Sequence, residues 1–199
     1  MSTRFTLVIL ALLATPAALA AQHGGGTAAP PIHSPPKEAS QFDFLIGQWE
    51  LVVRPKVNSL AAKIHGAPRL LGTWKAWRAF DGFGVEDELR IVDGSGNPSA
   101  LNHALRAFDP GARRWNITGI DVYRGRVTSA TAEWQDGAMA QSGKGTDAEG
   151  KPYLTRTRFS GITPTSFVMQ QDRSTDDGKT WDEGVLKIEA KRVAGVAPR

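Results

Sequence analysis

The sequence predicts an all-β chain, a single antiparallel up-and-down β-barrel of about nine or ten strands. Three observations carry that prediction. Runs of roughly six to ten residues rich in β-branched and aromatic side chains recur between residues 48 and 192. Turn chemistry separates them: Asp81-Gly82, Asp93-Gly94-Ser95-Gly96-Asn97, Asp109-Pro110-Gly111, Asp136-Gly137, Asp147 to Gly150, and Asp176-Asp177-Gly178. A helical apolar stripe is missing throughout, apart from a short run at Leu60 to Ile64 that suits one helical turn.

The strands are expected near residues 48–54, 70–80, 84–92, 100–108, 114–122, 125–135, 138–144, 152–161, 165–173 and 180–192. Consecutive short antiparallel strands leave two open edges unless the sheet closes on itself, and closure removes that liability. Residues 55–69 form the longest irregular stretch inside this region, with Pro55 and Pro68 near its ends. Such a stretch is either a lid at the barrel mouth or a plain surface excursion.

The barrel is expected to occupy residues 41–193. Residues 1–20 read as a secretory signal peptide, with Arg4 as the charged start, Phe5 to Leu13 as the apolar stretch and Ala18-Leu19-Ala20 as the cleavage site. Residues 21–40 hold Gly and Pro and almost nothing to bury, which reads as a disordered linker carrying His23 and His33. Residues 194–199 read as a flexible tail. No stretch after the leader approaches the run of about 20 apolar residues that an integral membrane helix needs.

The chain has no cysteine, so disulfides, thiolate chemistry and an acylated lipoprotein anchor are not expected. Its stability has to come from burial. Cysteine-free export fits a bacterial periplasm, or secretion from a bacterium, better than a eukaryotic extracellular space. The formal charge is +4, with 20 acidic residues interleaved among the basic ones. A nucleic-acid partner would call for a clustered basic patch, which the sequence lacks. Oligomeric state is not encoded in any pattern here.

One segment, Phe42-Asp43-Phe44-Leu45-Ile46-Gly47-Gln48-Trp49, opens the first regular element. Two further motifs follow: Phe108-Asp109-Pro110 ahead of Trp115, and Ser174-Thr175-Asp176-Asp177-Gly178-Lys179-Thr180-Trp181 ahead of a last strand that ends in a basic residue. In order and spacing these resemble an uncharacterised bacterial family of lipocalin-like (calycin-type) β-barrels, catalogued as a domain of unknown function. The resemblance spans residues 42–192. It implies the fold and little chemistry. The chain departs from the family in the length between Trp49 and Trp74, and in Phe108 where a Tyr is usual.

In barrels of this type the Gly-x-Trp indole packs across the floor, and an arginine of the last strand stacks on it. The resemblance therefore assigns Gly47, Trp49 and Arg192 to the barrel floor. Arg192 is the candidate because Leu186, Ile188, Ala190 and Arg192 share one strand face. An Arg over a Trp face contributes roughly 0.5–2 kcal/mol.

Chemistry is sparsely marked. The Ser174-x-Asp176-x-Gly178-x-Thr180-Trp181 stretch matches the Asp box of sialidase propellers, but it occurs once, and turn chemistry accounts for each of its residues. Heme, as in nitrobindin-like barrels, needs a histidine late in the barrel, whereas the histidines after the linker are His65 and His103. No cofactor and no metal site is expected, since zinc needs clustered His or Cys. Nucleophile elbows, Walker loops and dinucleotide fingerprints are all missing, so catalytic residues cannot be named.

What remains is polar residues at strand centres. Glu86 and Glu88 alternate with the apolar parity of their strand; charges facing a lumen pair to limit desolvation. With Arg156 and Arg158 as candidate partners, and with Trp77, His103, Arg106 and Trp115, they form the candidate lumen set. The plainer reading of each charge is a solvated outer face. Together these features predict an exported barrel that binds a small apolar or amphipathic molecule in its lumen. The alternatives are an isomerase- or cyclase-type enzyme with a lumen carboxylate such as Glu86 as general base, and a filled barrel serving as a structural or interaction module.

Overall fold

The computed structural model describes residues 34–57, Pro68 and residues 70–194. The first five strands are β1 (Gly47–Pro55), β2 (Leu70–Ala79), β3 (Gly84–Val92), β4 (Pro98–Asp109) and β5 (Arg114–Asp121). Then come β6 (Arg126–Gln135), β7 (Ala138–Thr146), β8 (Pro152–Ser160), β9 (Ser166–Ser174) and β10 (Asp182–Arg192). All pair antiparallel with their chain neighbours, and β1 closes on β10, giving a barrel without edges. Observed strand limits fall within about two residues of those expected from the sequence, the scatter normal for strand ends.

Alternation sets which residues face inward. In β1, Gly47, Trp49, Leu51 and Val53 are buried while Glu50 and Arg54 are exposed. Pairing carries this parity around the wall: Trp49 lies opposite Trp74, Trp74 opposite Leu89, and Ala76 opposite Asp87. Because a strand has period two, one such register fixes the facing of every residue in its neighbour. The outer face carries charges such as Lys75, Glu88, Arg90 and Lys144, and the inner face most of the apolar bulk. Among the described residues, no helix is long and apolar enough to cross a membrane.

The N-terminal segment closes one end of the barrel. Two 3₁₀ turns, Lys37–Ser40 and Asp43–Leu45, cross beneath the strands and bury Ala39, Phe42 and Leu45. The linker expected over residues 21–40 therefore gives way to ordered structure before its end. Small Ala39 fits under the barrel, and its carbonyl accepts a hydrogen bond from Arg78 Nη1 at 2.8 Å. Arg78 also pairs with Asp43, and Trp115 Nε1 donates to Gln41 Oε1 at 3.1 Å. Phe42 meets Trp115 edge-on with ring centroids 4.8 Å apart, and Trp49 meets Phe167 at the same distance. Each fully buried aromatic here contributes roughly 1.5–3 kcal/mol from the area it removes from water.

Gly47, Trp49 and Arg192 meet at this floor. The Arg192 guanidinium carbon lies 4.1 Å from the Trp49 ring centroid. Its Nη1 donates to the Ile46 carbonyl at 2.8 Å and its Nε to the Pro164 carbonyl at 2.6 Å. The indole N–H of Trp49 donates to the Leu45 carbonyl at 2.7 Å. Gly47 sits at φ +124°, and a Cβ there would run into Arg192 Nη1.

At the opposite end lie the end of β1, the start of β2 and the β3–β4, β5–β6, β7–β8 and β9–β10 connections. The expected helical turn at Leu60 to Ile64, and nearly all of the irregular stretch at 55–69, lie outside the described residues. The β9–β10 connection is a knot of turn hydrogen bonds. Ser174 Oγ accepts from the Gly178 N–H at 2.8 Å, while Asp176 accepts from the Thr180 N–H at 2.9 Å and from its hydroxyl at 2.6 Å. Trp181 Nε1 then donates to the Gly178 carbonyl at 3.1 Å. Ser174, Asp176, Gly178, Thr180 and Trp181 all take part in the hydrogen bonds of this turn.

Candidate ligand cavity

Above the floor the lumen is open, with a cavity of about 270 Å³. Residue size around the wall explains the space. Ala104 on β4, Gly119 on β5 and Ala130 on β6 are small, so that side of the barrel does not reach the axis. Across from them stand Trp74, Leu89, Phe159, Met169 and Leu186. Asn102, Gln141, Thr157 and Gln171 add neutral polar groups, and Gln171 Nε2 donates to Thr157 Oγ1 at 3.2 Å.

One charged cluster lies at the base of the cavity. Asp87 on β3 and Arg106 on β4 are diagonal neighbours on the inner face. Arg106 Nε donates to Asp87 Oδ2 at 2.7 Å, and the two side chains are 5% and 3% exposed. The indole N–H of Trp74 donates to Asp87 Oδ1 at 2.7 Å, and Arg106 Nη1 reaches Gln141 Oε1 at 3.4 Å. Below, the Arg106 guanidinium carbon lies 4.9 Å from the Phe42 ring centroid. Both charges are therefore paired and hydrogen-bonded, the condition under which burial is tolerated. To a ligand the cluster presents a net-neutral polar base under apolar walls.

Of the candidate lumen residues, Arg106 and His103 line this cavity, with the His103 imidazole turned toward Glu86 on the outer side. Trp115 points inward but is fully buried in the floor, packed edge-on against Phe42 and Phe108. The other five stand on the outer face, a correction to the expected lumen set. Glu86 and Glu88 belong to the outward parity of β3, because Val85, Asp87, Leu89 and Ile91 supply its inner wall. Outside, Glu86 accepts from Trp77 Nε1 at 3.1 Å and meets His103 Nε2 at 2.7 Å. Glu88 pairs with Arg90 on the same strand at 3.5 Å. Arg156 and Arg158 share the outward parity of β8, where Arg156 pairs with Asp172 at 2.8 Å and covers the Trp181 ring at 4.5 Å. Arg158 is exposed beside an outer hollow.

Among the lumen residues outside the expected set are Asp87 and Trp74, which form the polar base with Arg106. A signal for Asp87 was present: it is the single charge on a parity otherwise made of Val85, Leu89 and Ile91. A charge on an apolar parity needs a buried partner, and Arg106 stands in the same position on β4, between Ala104 and Phe108. Two larger hollows of about 590 and 540 Å³ lie on the outer wall across β5–β8 and β7–β10. They are open grooves between largely solvated side chains, and the buried Asp87–Arg106 pair lines neither of them.

Closed ten-strand topology, a floor built on Gly-x-Trp and a cavity at the other end make this a lipocalin-like barrel. Among solved structures it is similar to the S-type phycobiliprotein lyase of Guillardia theta, at a TM-score of 0.51 and 9% identity, over 78% of this chain and 92% of that one. At that identity the likeness speaks for the fold. No family model matches the chain, and no curated protein matches it by sequence. The family resemblance in the motifs thus holds at the level of the barrel.

Proposed function

We propose that this chain is an exported lipocalin-like barrel that binds one small apolar or amphipathic molecule in its lumen. The observation that carries the reading is an unfilled cavity of about 270 Å³, apolar on its walls, above a buried and fully paired Asp87–Arg106 base. Its volume lies just below the roughly 300–1,000 Å³ usual for ligand pockets, so the ligand is small. Aromatic and aliphatic walls supply affinity; Gln141, Thr157 and the Asp87–Arg106 pair supply orientation. Export through the leader at residues 1–20, to a bacterial periplasm or beyond, completes the reading and rests on the sequence. A barrel of the same fold working as a phycobiliprotein lyase is consistent with small-molecule work on this scaffold.

The enzyme reading loses its base. Glu86 faces away from the lumen, and the carboxylate that does face it has both oxygens engaged, Oδ1 by Trp74 and Oδ2 by Arg106. Held between Arg106 and Trp74, Asp87 serves as the partner of a buried cation, and no separate carboxylate among the residues lining the cavity stands ready to meet a substrate proton. Native mass spectrometry of protein purified from its own host tests the proposal. The expected result is a mass excess that dissociates as one small molecule. A bare chain that also fails to take up any amphipathic probe would refute it.

A further inference from the structure

Arg173 stands on the inward parity of β9, following Phe167, Met169 and Gln171. Gln171 lines the cavity, and Arg173 is two residues nearer the mouth, about 6.6 Å further along the strand. Its guanidinium carbon lies 4.4 Å from the ring centroid of Tyr153. Tyr153 is held there by a gap in the wall: Gly145 lies opposite it, and a Cβ at Gly145 would come within 2.8 Å of the Tyr153 hydroxyl.

Among the described residues, Arg173 Nε is the one buried side-chain nitrogen or oxygen without a hydrogen-bond partner. The neighbouring carboxylates are committed elsewhere. Asp182, opposite Arg173 in the β9–β10 register, pairs with Lys56 at 2.6 Å. Asp172 pairs with Arg156 at 2.8 Å, and Glu183 meets the same arginine at 3.3 Å. An arginine stacked on an aromatic ring keeps its in-plane donors free, and those donors match a planar or tetrahedral oxyanion. A buried donor left without an acceptor is costly, which marks the position for a group that arrives from outside.

We propose that Arg173 receives the anionic headgroup of the lumen ligand, so that the molecule bound is a small organic acid. Its carboxylate, sulfonate or phosphate oxygens meet the Arg173 guanidinium beside Tyr153, and its apolar body lies in the cavity toward Trp74 and Met169. This inference rests on the lumen being a binding site. It adds the charge of the ligand and the end at which that charge sits. The deep Asp87–Arg106 pair is neutral as a unit, so the mouth arginine supplies the charge selectivity.

Two fluorescent probes with one skeleton separate the two readings: 8-anilinonaphthalene-1-sulfonate, and N-phenyl-1-naphthylamine, which lacks the sulfonate. Both are titrated into the full chain, with Ala104→Phe as a lumen-filled control that reports binding outside the cavity. The expected result is a preference of roughly 10- to 100-fold for the sulfonate, the range of one charge-assisted hydrogen-bonded contact. Arg173→Met removes that preference without weakening the neutral probe, and Arg173→Lys retains part of it. Equal affinity for both probes in the parent chain, or a sulfonate preference that survives Arg173→Met, overturns the Arg173 assignment while leaving lumen binding intact. If neither probe binds in an Ala104→Phe-sensitive way, the lumen reading itself fails, and this inference with it.

Discussion

Arg106 and Asp87 meet at 2.7 Å with 5% and 3% of their side chains exposed, on adjacent strands of a closed barrel. The pair joins the two halves of the lumen. Beneath it Phe42 packs on the guanidinium, and above it the cavity opens. Asp87 also accepts the Trp74 indole N–H, so the pair holds β2, β3 and β4 in one polar junction.

Removing either member leaves an uncompensated charge in a buried site. Asp87→Ala and Arg106→Ala are each expected to lose about 3–5 kcal/mol. The double replacement Asp87→Leu with Arg106→Met is expected to lose less than either single change, because no lone charge remains. Urea denaturation followed by tryptophan fluorescence measures all three. Single variants within about 1 kcal/mol of the parent would show that water reaches the pair and that the site is not sealed.

Gly47 and Arg192 form a second tight relationship, at the floor. Gly47→Ala forces an L-residue to φ +124° and drives its Cβ against Arg192 Nη1. Backbone strain at such a position costs on the order of 1–3 kcal/mol before the collision is counted. In the Arg192→Ala background the collision is gone, so the same substitution should cost less, with a coupling of about 0.5–3 kcal/mol. Thermal unfolding of the four proteins in this cycle gives the number. Strict additivity would mean that the guanidinium moves aside freely and does not lock the floor.

Barrel closure, strand limits and floor motif were legible because each rests on local chemistry. Turn residues mark where strands stop, and Gly47-x-Trp49 marks where the first begins. Facing was harder. In Val85-Glu86-Asp87-Glu88-Leu89 both parities of the strand carry a carboxylate, so charge alone does not say which looks inward. The neighbours decide it: Ala76 and Ala104 flank Asp87, whereas Trp77 and Leu105 flank Glu86 on the outside. Only the register across three strands contains that information. Arg173 was hidden for a related reason. Its neighbours Asp172 and Ser174 are polar too, and nothing local distinguishes an arginine on an inner wall from one on a solvated face.

Asp176 makes stability depend on acid. Hydrogen bonds from the Thr180 hydroxyl, then from the Thr180 backbone N–H and the Ser174 hydroxyl, lower its pKa from 3.8 to about 2. A carboxyl whose folded pKa is depressed stabilises the fold above its unfolded value, and loses that contribution as pH falls through the folded one. Between about pH 4 and pH 2 the β9–β10 turn should therefore weaken. Asp176→Asn should lower stability at neutral pH and flatten the acid limb of the melting temperature plotted against pH. Matching acid limbs for the two proteins would show that the turn does not depend on the charge of Asp176.

Glu86 offers the sharpest contrast with the lumen. Its carboxylate sits outside the barrel, between Trp77 Nε1 at 3.1 Å and His103 Nε2 at 2.7 Å, with its side chain 29% exposed. Glu86→Gln keeps the shape and an acceptor, and a partly solvated pair contributes about 0–1 kcal/mol. The variant is expected to unfold within that margin of the parent and to bind N-phenyl-1-naphthylamine with unchanged affinity. Gln141→Leu, which removes the acceptor beside Arg106 at the cavity base, should by contrast alter probe affinity, because Gln141 both lines the cavity and meets Arg106 Nη1 at 3.4 Å. The two titrations, run side by side, decide which face of the barrel wall the ligand touches. A loss of affinity in Glu86→Gln with none in Gln141→Leu would move the binding site to the outer surface of β2–β4.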